Sequence, residues 1–274
     1  MNLELPLVVV RGGGDLATGV VHRLHCAGFP VVVLELDEPR AVRLAVSAAE
    51  AVFSGSHTVE GLIFKRVNQD CVRIPVTRQF VPVLVDPDAV SLSSLDPSFL
   101  IDARLKKRDI DSFIAMAPLV VGLGPGFIVG KHCHAVVETK RGHALGRLYW
   151  QSGQTTESDT GIPESVEGVS VERLLCSPCS GVLQPQARIG DLLKPGDIVA
   201  TVDGQTVRAP FEGMLRGLIH SGVTVAAREK IGDLDPRGVR LHCFTISDKA
   251  FAIGGAVLAG LLNCLQGRRP VAER

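Results

Sequence analysis

The stretch from Leu7 to Gly19, LVVVRGGGDLATG, restricts the fold more than any other part of the chain. A continuous apolar run from Leu7 to Val10 suits a central parallel strand buried on both faces, and it leads directly into three glycines. A helix is predicted from Asp15 to Ala27. Gly12, Gly14 and Ala17 meet the spacing G-x-G-x-x-G/A. Its first position permits a tight turn, its second removes a side chain where a phosphate would approach, and its third lets the helix pack closely. Gly13 lies between the first two, and Asp15 opens a helix whose first N–H groups would face a bound anion. The next apolar run, Val31 to Leu36, ends in Glu35 and Asp37, acids about where a ribose-binding carboxylate is expected. Asp15 puts a negative charge inside the anion cradle, and Arg11 stands at the end of the strand; neither is routine for a nicotinamide site. A nucleotide-type ligand and a purely structural strand-turn-helix both fit this motif.

Composition narrows the alternatives. At 274 residues the chain has room for two ordinary domains. Lys plus Arg equals Asp plus Glu at 29 each, so neither nucleic acid nor a membrane is expected as a partner. Seven cysteines, an odd number, with a first strand close behind Met1 and no secretory signal, point to the reducing cytoplasm. The apolar run Ala250 to Leu262 falls short of the roughly 18 residues that span a bilayer and is read as a buried helix.

After the second strand, Pro39 stands at a first helical position, and apolar residues from Ala41 to Val52 recur at helical spacing, predicting a helix that ends near Gly55. Further strands are expected at Gly61 to Phe64, Cys71 to Val76, Pro82 to Val85, Phe99 to Ile101 and Leu119 to Val121. In open α/β sheets ligands bind beyond the carboxyl ends of the strands, so residues just after each run share one rim. A second glycine loop there contains Gly122, Gly124 and Gly126, and Pro125 gives it a shape different from the first. Alternation from Lys131 to His143 predicts a strand with His134 and Glu138 on one face. Two readings stand: a half-buried strand with solvated charges, or a site in which His134, Glu138, Arg141 and His143 bind an oxyanion or a pterin-like ligand. Zinc held by His134, Glu138 and His143 meets no familiar ligand spacing, and no metal is expected.

Residues 151–168 are rich in Ser, Thr, Glu and Gly and are read as a linker. Beyond them the sequence repeats at an offset of 32 residues: Pro178, Gly181 and Leu183 return as Pro210, Gly213 and Leu215, Gly190 as Gly222, and Asp197 as Glu229. Two interlocking halves of a small β barrel-sandwich are predicted, similar to biotinyl/lipoyl carriers. The join between the halves, Val202-Asp203-Gly204-Gln205-Thr206, is a hairpin turn without the lysine a carrier needs, so no prosthetic group is expected on it. Cys176 and Cys179 form a single C-x-x-C. Packing and sulfur or selenium handling both remain open for it. Ser247 is predicted to cap a helix from Asp248 to about Gln266.

Residues 11–36, 38–55, 102–107, 121–127, 134–147 and 230–238 together resemble the selenium-dependent molybdenum hydroxylase accessory proteins of the YqeB type, relatives of the XdhC/CoxI maturation factors. The resemblance implies an accessory role in which a molybdopterin-type cofactor is bound or delivered to a molybdenum hydroxylase client. It places Gly12, Gly14 and Ala17 in a ligand loop, and Gly122, Gly124, His134, Glu138, Arg141 and His143 in a second motif. His132 and Cys133 depart from that motif. The expected fold is α/β: a Rossmann-like parallel sheet domain (1–150), the linker, a biotinyl/lipoyl-like barrel-sandwich domain (169–238), and a C-terminal strand and helix (239–274) packed on the first domain. An NAD(P)- or flavin-dependent oxidoreductase is the alternative function. A cleft that must dock a client is also compatible with a homodimer.

Overall fold

The computed structural model describes residues 5–68, 79–158 and 166–267. The apolar run Cys71 to Val76 lies outside the described residues, as do residues 159–165 of the expected linker. The first half forms a nine-stranded sheet from β1 (Val8–Arg11), β2 (Val31–Glu35), β3 (Ser56–Val59), β4 (Leu62–Val67), β5 (Val81–Val85), β6 (Phe99–Asp102), β7 (Leu119–Leu123), β8 (Ala135–Val137) and β9 (Leu148–Tyr149). Its order is β3-β4-β5-β2-β1-β6-β7-β8-β9. Both faces of the central strands are covered. Val8, Val10, Val31 and Val33 join one apolar cluster, while Val9, Val32, Leu100 and Val120 join another, which accounts for the unbroken hydrophobic runs.

Five helices are described: α1 (Asp15–Cys26), α2 (Glu50–Ser54), α3 (Leu92–Leu95), α4 (Leu241–Phe244) and α5 (Asp248–Leu265). The first and last pack together through glycines. A Cβ on Gly19 would lie 2.8 Å from the Ala250 backbone, and one on Gly254 would lie 2.6 Å from the Gly19 carbonyl. Ser247 Oγ accepts the Ala250 N–H at 3.1 Å and starts α5 as the sequence predicts. By length and composition alone Leu241–Leu265 is apolar enough to cross a membrane, but Thr245 to Ser247 interrupt it, and Ala250, Ile253, Val257 and Leu261 are buried.

The second half contributes β10 (Leu174–Cys176), β11 (Gly181–Pro185), β12 (Leu192–Leu193), β13 (Ile198–Val202), β14 (Gln205–Arg208), β15 (Gly213–Leu218), β16 (Thr224–Val225) and β17 (Lys230–Asp235). They form two four-stranded antiparallel sheets, ordered β10-β17-β15-β12 and β14-β13-β11-β16. The 32-residue repeat recurs in reciprocal hydrogen bonds. Gly190 N–H donates to Leu215 O while Gly222 N–H donates to Leu183 O, both across the copies, at 2.8 and 2.9 Å. Within the copies, Asp197 accepts the Lys194 N–H and Glu229 accepts the Ala226 N–H, so each acid closes an equivalent turn. At the join Asp203 and Gly204 both adopt positive φ, 43° and 81°, as a two-residue hairpin turn requires.

Three expectations are corrected. The large sheet is mixed rather than a parallel Rossmann-like sheet: β3 and β9 pair antiparallel at its two edges, and among the described residues only α1 of its crossovers is a long helix. The repeat folds into two separate antiparallel sheets, with edge strands β12 and β16 of two residues each, rather than a biotinyl/lipoyl-like barrel-sandwich. The helix expected from Pro39 to Gly55 is broken into a 3₁₀ turn, Leu44–Val46, and the short α2. Its backbone donors are taken by distant acceptors: Ala48 N–H bonds Thr18 Oγ1 and Ala49 N–H bonds Gly13 O, both at 2.9 Å. A regular helix would need those N–H groups for its own ladder.

Candidate functional site

The carboxyl ends of β1, β6, β7 and β8 lie side by side, and a cavity of about 880 Å³ borders this rim. One wall carries Asp15 and Leu16 at the start of α1, Pro125 of the second glycine loop, residues Glu138 to Arg141 after β8, and Ser247 to Lys249 at the start of α5. The other wall comes from the repeat segment, with Arg173, Arg216, Lys230, Asp233 and Arg237. Arg43 and His242 also line it. The segments around the two glycine motifs therefore border a common pocket.

The individual glycines are used differently. Gly12 has a φ of 94° and lies against Arg104, where a Cβ would meet backbone at 3.1 Å. Gly13 donates its N–H to Glu35 Oε2 at 2.5 Å, and the other oxygen of Glu35 accepts the Leu36 N–H at 2.7 Å. Glu35 is thus turned onto the loop, and its burial raises its pKa against the lowering effect of those bonds. Gly14 faces open space: a Cβ there meets nothing within 4 Å. Ala17 is buried in α1. In the second loop a Cβ on Gly122 would strike the Phe127 ring at 2.4 Å, one on Gly124 the Thr139 hydroxyl at 2.7 Å, and one on Gly126 the Lys107 carbonyl at 2.9 Å.

The second motif is divided. Glu138, only 1% exposed, lines the cavity and uses its carboxylate to accept the N–H groups of Lys140 at 2.7 Å and Glu157 at 2.8 Å. Arg141 also lines it, paired with Asp248 at the start of α5; the hydrogen bond from Arg141 holds the Asp248 carboxyl below the usual range. His134 lies elsewhere. Its Nδ1 accepts the Val120 N–H at 2.9 Å, near the opposite end of the sheet from the rim. Four residues of extended chain cover about 13 Å, so one face of a strand reaches both ends of the sheet. His143 is exposed and outside the cavity lining. His134, Glu138 and His143 therefore share no centre, and among the described residues no group of three His, Cys, Asp or Glu is placed to hold a metal. Cys133 is fully buried, which pushes its thiol up to about 12. Cys179 packs beside the small-sheet core with its Sγ 3.3 Å from Val202 O, while Cys176 is exposed.

The chain as a whole is neutral, but the cavity is not: nine Lys or Arg against five Asp or Glu line it. Arg173 forms an ion pair with Asp233 at 3.2 Å and Arg237 with Asp235 at 2.5 Å. Burial would raise Asp235, yet the hydrogen bonds and charge of Arg237 take it down to about 2. Arg43, with a side chain 9% exposed, donates through Nη2 to the carbonyls of His242 at 2.6 Å and Thr245 at 3.3 Å. Its Nε and Nη1, with His242 Nδ1, are buried without a hydrogen-bond partner. Sequence reasoning passed over Arg43, Arg216 and His242. Arg216 carried the clearest signal, being a charge within the otherwise apolar strand GMLRGL.

Over 269 residues the chain is 42% identical to the uncharacterized protein YqeB of Escherichia coli (strain K12). The match takes in 97% of this chain and 49% of the relative. The resemblance to the YqeB type is supported. The chain spans about half the length of that relative. No protein-family model matches. Among solved structures, the chain is similar to an aspartoacylase family protein from Mesorhizobium loti (15% identity, 84% of this chain and 85% of that one, TM-score 0.28). A second is the ectoine utilization protein EutE (DoeB) from Ruegeria pomeroyi (14% identity, 84% and 86%, TM-score 0.26). Scores this low carry no argument about architecture or chemistry.

Proposed function

We propose that the chain is an accessory factor for molybdenum hydroxylases, selenium-dependent ones included, which binds a molybdopterin-type cofactor in the cavity and passes it to the client enzyme. The observation that carries this reading is the cavity itself, with its cationic excess. Its volume falls within the roughly 300–1,000 Å³ of small-molecule sites. The donor set fits the cofactor: guanidinium and ammonium groups suit its phosphate, while the Thr139 hydroxyl and nearby backbone suit the polar edge of a pterin. The cofactor is cargo here; its molybdenum chemistry belongs to the client. The repeat segment forms one wall, so opening between the walls supplies a route for release. Surface thiols at Cys26, Cys176 and Cys264 suit the reducing cytoplasm as the compartment.

Titration of the purified protein with molybdopterin cofactor and, separately, NAD(H) tests the proposal. Saturable binding of the cofactor in the micromolar range or tighter is expected, weakened by Gly14→Val and Arg141→Gln. Saturable binding of NAD(H) without binding of the cofactor would instead favour the oxidoreductase reading. The engagement of both Glu35 oxygens by backbone N–H groups leaves that carboxylate turned away from a ribose.

A further inference from the structure

The cavity holds donors that the protein itself does not use. Arg43 stands at the break in the expected helix, directly before the 3₁₀ turn, and its side chain lines the pocket. Nη2 is occupied, but Nε and Nη1 have no acceptor. The nearest carboxylate oxygen, on Asp15, is 3.6 Å from Nη1, beyond hydrogen-bond reach. Arg216 approaches the same place from β15, with its Nε 3.4 Å from the His242 carbonyl that Arg43 also binds. His242 Nδ1 is a third buried nitrogen with no partner. Leaving buried donors unmade is costly, and two guanidiniums drawn to one carbonyl repel each other. Burial and then the neighbouring Arg43 pull the pKa of Arg216 down, against the Asp233 and Asp235 carboxylates, which lie 3.5 and 3.7 Å from its guanidinium. Those carboxylates serve Arg216 from the side of β17, whereas a doubly charged oxyanion would give the unmade donors of Arg43 acceptors and ease its repulsion with Arg216.

The glycine loop offers less. The Gly13 N–H is already bonded to Glu35, and Asp15 places a carboxylate at the start of α1. We infer that Arg43, Arg216 and His242 form the seat for a tetrahedral oxyanion, the phosphate ester of the bound ligand, and that the glycine loop is not its principal grip. The inference rests on reading the cavity as a site for a phosphorylated cofactor, and it gives that cofactor an orientation. It also divides the seat between the large sheet and the repeat segment, so ligand binding couples the two.

Calorimetric titration with inorganic phosphate, and with acetate as a carboxylate control, tests the seat directly. Wild-type protein is expected to bind phosphate saturably and acetate about tenfold more weakly or worse. Arg43→Lys and Arg216→Gln are each expected to weaken phosphate binding about tenfold or more. Arg40→Gln, which removes one charge from a surface pair with Glu229, is expected to leave it unchanged. Thermal melts confirm folding, and if Arg216→Gln does not fold, Arg216→Lys carries the same expectation because it loses the planar fork. Absence of saturable phosphate binding, or equal binding by the folded variants, would overturn the seat. The same variants titrated with molybdopterin cofactor separate the two ideas. Unaltered cofactor binding would remove the seat and leave the functional reading standing. Phosphate bound through Arg43 and Arg216 by a protein that ignores the cofactor would do the reverse.

Discussion

The two glycine loops are alike in sequence and opposite in use. In the second, from the end of β7 into the turn after it, each glycine is small because the protein fills the space: Phe127 lies over Gly122, Thr139 over Gly124 and the backbone at Lys106 and Lys107 over Gly126. In the loop after β1, Gly12 and Gly13 are also hemmed in, by Arg104 and by Ala49 and Glu35, but Gly14 opens on free space. A run of glycines after a buried strand therefore reports close approach, and only the surroundings say whether the approaching group is the protein or a ligand.

This contrast makes the second loop a packed wall and the first a partly open one, and it can be tested from its strongest point downward. Glu138→Ala removes the anchor of that wall and strands the N–H groups of Lys140 and Glu157. Chemical denaturation should register a loss of about 3 kcal/mol. Next, Gly122→Ala should cost about 2 kcal/mol through overpacking against Phe127, visible as a lowered Tm, whereas Gly14→Ala should cost under about 1 kcal/mol. Equal melting of these two variants would erase the distinction between the loops. On the facing wall, Asp235 is depressed from 3.8 to about 2, so its stabilisation is complete above the higher value and disappears as pH falls through the lower one. Its side chain is 1% exposed, and the effect is of the order of 2 kcal/mol. The stability gap between wild type and Asp235→Asn should accordingly close between about pH 4 and about pH 2, measured by urea melts across that range. The smallest effect belongs to Arg141→Gln. Its ion pair with Asp248 is solvent-exposed, and stability should change by less than about 1 kcal/mol even though cofactor affinity falls.

Much of the framework was legible. The buried strands of the large sheet, α1, the Ser247 cap, the Asp203-Gly204 turn and the 32-residue repeat each have a local cause: an apolar period, a capping oxygen, a residue tolerant of positive φ. The broken helix after Pro39 was not legible, because its period records which side chains are apolar and says nothing of the Thr18 hydroxyl and Gly13 carbonyl that claim its N–H groups. The antiparallel edges were missed for a related reason, since β9 is two residues long and its direction depends on tertiary pairing. Strand alternation and the resemblance together pointed to His134, Glu138 and Arg141; Glu138 and Arg141 line the cavity, whereas the alternation carries His134 to the far end of the sheet. The cations at 43, 173, 216, 230 and 237 are scattered along the chain, and no short spacing unites them.

Gly217 has a Cβ position only 2.6 Å from the Val42 carbonyl, so β15 lies against the segment beside it with no room for any side chain. Arg216 and Arg43 are the immediate neighbours of these two residues. The spacing of the two backbones that carry these guanidiniums is therefore gauged by main chain against main chain. Changes in neighbouring side chains can retune which molecule fills the pocket while that gauge keeps its width.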